Sequence, residues 1–319
     1  MGYVSKKVEK IYKATTFTRR DDAGLLFYYS VNDFPGLTAE KFSFKTEKGH
    51  KLTGYFYSYP DYTSNRLIVF DHGMGVGHRA YLKEIQMLAS AGYLVYSYDH
   101  TGCTESEGES TMGLSGSLVD LDACISAMKE KGFAEENISV MGHSWGGFST
   151  LNILHFYPDL KSIVAMSGFI SLNDMLGQVI PSIVKYTRRS VYALEQSANP
   201  NHYDKNAIDT LSNTDRPALI IHSKDDNSVS YKRHFEKLRN AVSYKSNIEF
   251  LSLTDRCHNP NYTAAAVKYK GDFFKEYTKI TKKKITNMDA HRAFLNSYDW
   301  HKITEQDEQI WNKIFEFLK

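Results

Sequence analysis

The stretch Ile138-Ser-Val-Met-Gly-His-Ser-Trp-Gly-Gly147 decides how this chain of 319 residues folds. It begins like a buried strand, with β-branched and apolar residues, and the residues that follow it, 148–156, have helical periodicity. Between strand and helix lies the pattern Gly-x-Ser-x-Gly, in which Gly142 and Gly146 flank Ser144. A sharp strand-to-helix turn crowds the backbone, so glycines on both sides of a serine favour such a turn. The pattern predicts that the turn lifts the Ser144 hydroxyl clear of a sheet.

Outward from this turn, short β-branched or aromatic runs alternate with longer amphipathic runs from about residue 41 onward. This alternation is typical of a mostly parallel sheet with crossover helices. The first two strands flank the turn-forming residues 47–49 and predict an antiparallel hairpin. The predicted strands are 41–45, 52–57, 67–70, 94–98, 138–141, 162–166, 218–221 and 248–251, and the predicted helices are 81–91, 114–131, 148–156 and 231–242. We expect an α/β fold with helices on both faces of the sheet, forming a single domain over residues 1–319.

Two segments interrupt the alternation. Residues 170–214 are rich in apolar side chains, and we predict that they form a helical lid over the site. The lid residues expected to contact substrate are Met175, Ile180, Ile183 and Tyr186. Periodicity alone fits a covering helix packed on the core equally well, but the segment precedes the strand expected to carry a catalytic acid, which favours a lid. Residues 262–299 form an additional insertion before a C-terminal helix, and no role for it follows from the sequence; the first 35 residues are expected to wrap the outside of the domain.

Composition limits the classes of function. Hydrophobic residues make up 42% of the chain, and 39 Lys and Arg against 37 Asp and Glu give a net charge of +2, too little to recruit nucleic acid or an anionic membrane. No apolar run approaches the ~20 residues of a membrane span, and residues 1–10 lack the apolar core of a signal peptide. Cys103, Cys124 and Cys257 are too few and too widely spaced for a disulfide framework or a zinc site. We therefore expect a cytoplasmic protein with no metal and a small-molecule substrate.

An exposed serine becomes a nucleophile when a histidine takes its proton and a carboxylate holds that histidine, in the chain order Ser, acid, His. His258 follows the last predicted strand in a loop that can reach back over the sheet, so we assign it as the base. Asp225 and Asp226 both follow strand 218–221, and either could supply the carboxylate, with Asp226 preferred.

Backbone donors for a tetrahedral oxyanion are expected in two places. The Trp145 N–H lies at the start of the helix after Ser144, and the Met74 N–H lies in the glycine-rich loop after strand 67–70. His143 and His222 are expected to pack or hydrogen-bond locally, without a part in proton transfer.

With these residues in place, the chain resembles an α/β hydrolase of the monoacylglycerol lipase and serine aminopeptidase-like group. The resemblance rests on Asp71-His-Gly-Met-Gly75, on Tyr98-Asp-His-Thr-Gly-Cys-Thr-Glu-Ser-Glu-Gly108, on 142–147, and on the acid and base positions. The family's spacing around the acid selects Asp226 over Asp225. Thr104 and Ser223 replace common glycines of the family pattern, and residues 262–299 lie outside it.

The resemblance implies a serine esterase that acts through an acyl-enzyme and needs no cofactor. Alternatives on the same residues are an aminopeptidase or amidase, and a thioesterase or acyltransferase. A binding protein that has lost catalysis is disfavoured because Ser144, Asp226 and His258 are all present.

Overall fold

The computed structural model describes residues 2–21, 28–62, 65–75, 77–281 and 287–319. Eight strands form one sheet in the order β1-β2-β4-β3-β5-β6-β7-β8. They are β1 (Thr38–Lys45), β2 (Lys51–Ser58), β3 (Leu67–Asp71), β4 (Leu94–Tyr98), β5 (Ile138–His143), β6 (Ser162–Met166), β7 (Ala218–Ser223) and β8 (Ile248–Leu253). β2 pairs antiparallel with β1 and β4, and every other pairing is parallel. The predicted α/β sheet with an antiparallel N-terminal hairpin is confirmed.

Helices cover both faces of this sheet. They are α1 (Tyr3–Thr16), α2 (Leu82–Ser90), α3 (Gly116–Glu130), α4 (Trp145–Asn152), α5 (Leu172–Val179), α6 (Arg188–Ala198), α7 (Ala207–Ser212), α8 (Lys237–Val242), α9 (Ala264–Thr281), α10 (Met288–Asn296), α11 (Trp300–Ile303) and α12 (Glu308–Leu318). Side chains alternate between the faces along a strand, and β3 shows the result. Leu67 and Val69 join the core under α3 and α4, whereas Ile68 and Phe70 join the core under α2 and α12. The two layers of helix hold the strand ends in fixed positions.

The segment 170–214 contains α5, the turn Ser182–Thr187, α6 and α7. Glu195 on α6 accepts hydrogen bonds from the Tyr12 hydroxyl of α1 and from the Leu114 N–H at 2.7 Å. The N-terminal helix, which has no clear counterpart in the sequence pattern, therefore packs against this segment through polar contacts. Whether residues 170–214 open and close as a lid stays a prediction.

The insertion 262–299 and the residues just after it form α9, α10 and α11 with a small core of their own. Phe273, Leu295 and Ile303 are its buried members, packed against five further aromatic side chains, Tyr269, Tyr277, Phe294, Tyr298 and Trp300. We call these three helices the C-terminal cap. Among the helices of the described residues, none has the length and apolar character to cross a membrane.

Candidate active site

The turn between β5 and α4 forces Ser144 into an unusual backbone conformation. Its φ of 58° and ψ of −110° lie where non-glycine residues are rarely found. A Cβ on Gly146 would lie 2.1 Å from the Asp71 carbonyl oxygen, and one on Gly142 would lie 2.3 Å from the Gly146 carbonyl oxygen. Both glycines are therefore required, because the turn packs directly on its own backbone and on the end of β3. The Ser144 side chain is held at the carboxyl edge of the sheet.

Three side chains from three separate strand ends form a chain of hydrogen bonds. His258 Nε2 lies 2.8 Å from Ser144 Oγ, and His258 Nδ1 lies 2.8 Å from Asp226 Oδ2. The neighbouring Asp225 faces elsewhere, with Oδ2 accepting from the Cys257 N–H at 3.2 Å. Thus Asp226 contacts the His258 ring, whereas Asp225 holds the backbone just before it.

Asp226 is buried and surrounded by donors. Its Oδ1 accepts the N–H groups of Ser228 at 2.8 Å and Val229 at 2.9 Å. The ring nitrogen Nε2 of His222 lies 3.2 Å from Asp226 Oδ2. Burial by itself raises the pKa of Asp226, but the hydrogen bonds from His222 and His258 outweigh it and hold the pKa well below its ordinary value. The carboxylate is ionised at neutral pH.

The loop that carries His258 is held in place by His143, the residue just before Ser144 in the turn between β5 and α4. His143 Nε2 lies 2.6 Å from the carbonyl oxygen of His258, and His143 Nδ1 lies 2.8 Å from the Tyr81 hydroxyl. Burial, together with the nearby His258, lowers the pKa of His143 to about 3. The imidazole is neutral, so its Nε2–H donates to the carbonyl and its Nδ1 accepts from Tyr81. Local packing was expected of His143, and this positioning contact was missed; the one available signal was its position beside the serine. Local hydrogen bonding was expected of His222, and its contacts with Asp226 and the Val229 carbonyl are of that kind.

The two expected backbone donors belong to segments that adjoin Ser144. Trp145 is the first residue of α4, where N–H groups lack an intrahelical acceptor. Gly73, next to Met74, faces Ser144 so closely that a Cβ on it would lie 3.3 Å from the Ser144 Cβ. The loop that begins at Asp71 is held in place by buried His100, which lies 2.9 Å from Asp71 and 3.2 Å from Asp120. Burial lowers the pKa of His100, but those two carboxylates outweigh it and raise the pKa to about 10.

A cavity of about 290 Å³ opens beside this loop. Gly73 and Met74 form one wall, and residues of the C-terminal cap form the other. The four expected lid residues, Met175, Ile180, Ile183 and Tyr186, are absent from its described lining. Ile180 is buried in the core, whereas Ile183 and Tyr186 are exposed. In the part of the chain that the structure describes, no group of three His, Cys, Asp or Glu side chains could hold a metal ion.

The sheet and the turn at Ser144 are those of the α/β-hydrolase fold. Residues 63–208 match the model of the family described as serine aminopeptidase, S33. An esterase of Pyrococcus furiosus superposes with a TM-score of 0.59 at 18% identity, covering 84% of this chain and 97% of that one. A puromycin hydrolase superposes with a TM-score of 0.56 at 16% identity, covering 77% of this chain and 40% of that one. These likenesses show the α/β-hydrolase fold and support a relation to the S33-type group.

Curated relatives match part of the chain. The acylamino-acid-releasing enzyme of Homo sapiens is 26% identical over 194 residues, which cover 56% of this chain and 26% of that enzyme. The enzyme of Rattus norvegicus is 24% identical with the same coverage. The chain thus matches about a quarter of the length of these relatives.

Proposed function

We propose that this protein hydrolyses carboxylic esters through Ser144, His258 and Asp226. The observation that carries the proposal is the continuous chain of 2.8 Å contacts from Ser144 Oγ through the His258 ring to Asp226. His258 accepts the serine proton as Ser144 Oγ attacks the acyl carbonyl, and then gives that proton to the departing alkoxide. Water, deprotonated by the same imidazole, releases the acid from the acyl-enzyme.

Asp226 sets the protonation of the base in this proposal. An ionised carboxylate at Nδ1 requires the proton there, which leaves the Nε2 lone pair facing Ser144. The same carboxylate stabilises the imidazolium formed during attack. The N–H groups of Met74 and Trp145 bind the oxyanion, each contributing about 3 kcal/mol to the lowering of the barrier.

An ester is favoured over a peptide with a free amino terminus by the charge of the cavity. An aminopeptidase needs carboxylates or carbonyls that bind the substrate ammonium. None of the described residues that line the cavity beside Met74 is acidic, whereas Arg79 and Lys270 both line it. Amide hydrolysis is the second candidate, and the likenesses to acylamino-acid-releasing enzyme and to puromycin hydrolase are what favour it. Thioester hydrolysis and acyl transfer would use the same Ser144, His258 and Asp226.

The test is labelling with a fluorophosphonate, followed by assay of p-nitrophenyl acetate and an aminoacyl p-nitroanilide side by side. Wild type should take up the label and hydrolyse the ester faster, and Ser144→Ala should do neither while keeping its melting temperature. Ester hydrolysis by Ser144→Ala near the wild-type rate would refute the proposal. Faster hydrolysis of the anilide would favour the second candidate.

We also propose that residues 170–214 form a lid over this site, within a single domain. A contact of Gln178 on α5 supports the lid. Its Nε2 donates a hydrogen bond of 2.9 Å to the carbonyl of Ser228, and Ser228 lies two residues after Asp226. Movement of α5 would therefore reach the loop that carries the acid.

A further inference from the structure

The cavity beside the oxyanion loop is lined by residues that neighbour Ser144 and His258. Gly73, which forms part of its wall, also faces the Ser144 Cβ, and Asn259, another wall residue, directly follows His258. A substrate whose carbonyl carbon sits at Ser144 Oγ can therefore extend one of its two arms toward this cavity.

Aromatic side chains make up most of the far wall. Phe273, Phe274 and Trp300 come from the C-terminal cap, and Tyr262 precedes it. Phe273 and Trp300 pack with ring centroids 5.1 Å apart at an interplanar angle of 71°. Rings arranged edge to face offer both faces and edges to a further ring. The cavity volume of about 290 Å³ is at the lower end of ligand pockets, which suits a single ring with its substituents.

Two cationic side chains of the described residues line the cavity, exposed Arg79 and Lys270, and Lys270 is the one that lies against an aromatic ring of the wall. Lys270 on α9 donates to Asn259 Oδ1 at 3.1 Å, and its Nζ lies 4.7 Å from the centroid of the Tyr262 ring. No acidic residue is among the described lining of the cavity, and buried Glu84 is the carboxylate whose charge acts on that ammonium. Burial lowers the pKa of Lys270 to about 8, with buried Glu84 acting weakly in the other direction. Desolvating an ammonium without a carboxylate is costly, and an anion in the cavity would remove that cost.

We propose that this cavity binds an aromatic carboxylate, with the carboxylate at Lys270 and the ring against Phe273 and Trp300. The preferred substrates are then esters in which either the acid or the alcohol carries an aromatic carboxylate. This inference rests on the proposed ester hydrolysis and names its substrate class. The reaction itself is unchanged, since water cleaves the ester to an acid and an alcohol.

Two matched substrate pairs test the proposal in the full chain. In the first, mono-4-nitrophenyl terephthalate and 4-nitrophenyl 4-methylbenzoate differ by a carboxylate on the acyl side. In the second, 4-acetoxybenzoate and 4-methylphenyl acetate differ by a carboxylate on the alcohol side. The measured quantity is the ratio of kcat/KM for the anionic ester to that for the neutral ester. Because both esters meet the same enzyme, partial unfolding or a general loss of activity cancels in this ratio.

Lys270→Met should lower the ratio about 10- to 100-fold in one of the two pairs, since a hydrogen bond to a charged group contributes on that order. The responding pair identifies the arm that enters the cavity. Lys268→Met is the matched control, because Lys268 lies on the same helix and is exposed, and its ratio should equal that of wild type. A ratio unchanged by Lys270→Met in both pairs overturns the proposal.

Binding measured without turnover separates this inference from the proposed function. Titration of Ser144→Ala with 4-methylbenzoate in a calorimeter should show binding, and Lys270→Met in the same background should weaken it by a similar factor. If this binding is found but wild type hydrolyses no ester, the cavity assignment stands and the proposed function fails. If neutral esters are hydrolysed but 4-methylbenzoate does not bind, ester hydrolysis stands and the cavity assignment fails.

Discussion

Replacing Asp226 with asparagine changes one oxygen to an amide group, and the structure determines how the new side chain must sit. The retained oxygen replaces Oδ1, which accepts the N–H groups of Ser228 at 2.8 Å and Val229 at 2.9 Å. The amide NH₂ then faces His258 Nδ1, 2.8 Å away, and donates to it. The proton of His258 must move to Nε2, where it meets Ser144 Oγ at 2.8 Å. A base with its proton on that side is unable to accept the serine proton.

The expected loss for Asp226→Asn is up to ~10⁴ in kcat, or about 5 kcal/mol of barrier. Asp225→Asn is the matched control. In the wild type Asp225 Oδ2 accepts the Cys257 N–H at 3.2 Å, and the amide oxygen of an asparagine can accept the same hydrogen bond. We expect less than about a tenfold loss for the control. The assay is hydrolysis of p-nitrophenyl acetate at pH 7, with melting temperatures to show that both variants are folded. A larger loss for Asp225→Asn, in folded protein, would refute the reasoning.

Three further changes test the packing, the pH dependence and the lid. Gly146→Ala should lower the free energy of unfolding by about 1–3 kcal/mol, because its Cβ would lie 2.1 Å from a backbone oxygen. Gly271→Ala, whose Cβ would have no atom within 4 Å, should raise the free energy of unfolding by about 0.5–1 kcal/mol. Equal changes for the two variants in urea titrations would contradict this reasoning. Burial lowers the pKa of His143 to about 3, so its contribution to stability is full above pH ~6.5 and falls by about 1 kcal/mol per unit as the pH drops toward 3. Urea titrations from pH 7 to pH 5 should therefore show a shallower pH slope in His143→Gln, and identical slopes would count against a neutral His143. Ile183 is 89% exposed, so Ile183→Ser should leave the melting temperature unchanged. If residues 170–214 form a lid, the same variant should raise KM for butyrate and longer esters more than KM for acetate esters. Ile180→Ser, at a position 5% exposed, should lower the free energy of unfolding by about 2–4 kcal/mol. A KM that does not change with chain length in Ile183→Ser would leave residues 170–214 as a structural cover.

The strands of the sheet could be predicted because their signals are local. Each strand is marked by a short β-branched or aromatic run. The turn at Ser144 is marked by glycines at 142 and 146, where a Cβ would clash with neighbouring backbone. Six of the eight strands run one to three residues beyond the predicted ends, whereas β4 and β6 have the predicted bounds. β5, for example, continues to His143 because its pairing with β6 extends that far.

Contacts between distant parts of the chain could not be predicted in this way. The bond between Tyr12 and Glu195 joins residues 183 positions apart and involves polar atoms, so it leaves no trace in hydrophobic periodicity. The same holds for Tyr81, His143 and the carbonyl of His258, whose contact depends on three separate elements meeting at one edge. The sequence indicated an insertion at residues 262–299, but the small core that its helices form by burying aromatic residues against one another was not predicted.

That separate core has a consequence for how the enzyme can diversify. Phe273, Leu295 and Ile303 bury one another with the neighbouring aromatic rings, apart from the two cores that hold the sheet. Substitutions among the cap residues that face the cavity therefore alter which ligand fits while the Ser144 turn keeps its geometry. Substitutions in the C-terminal cap can therefore change substrate specificity with little effect on the folding of the sheet.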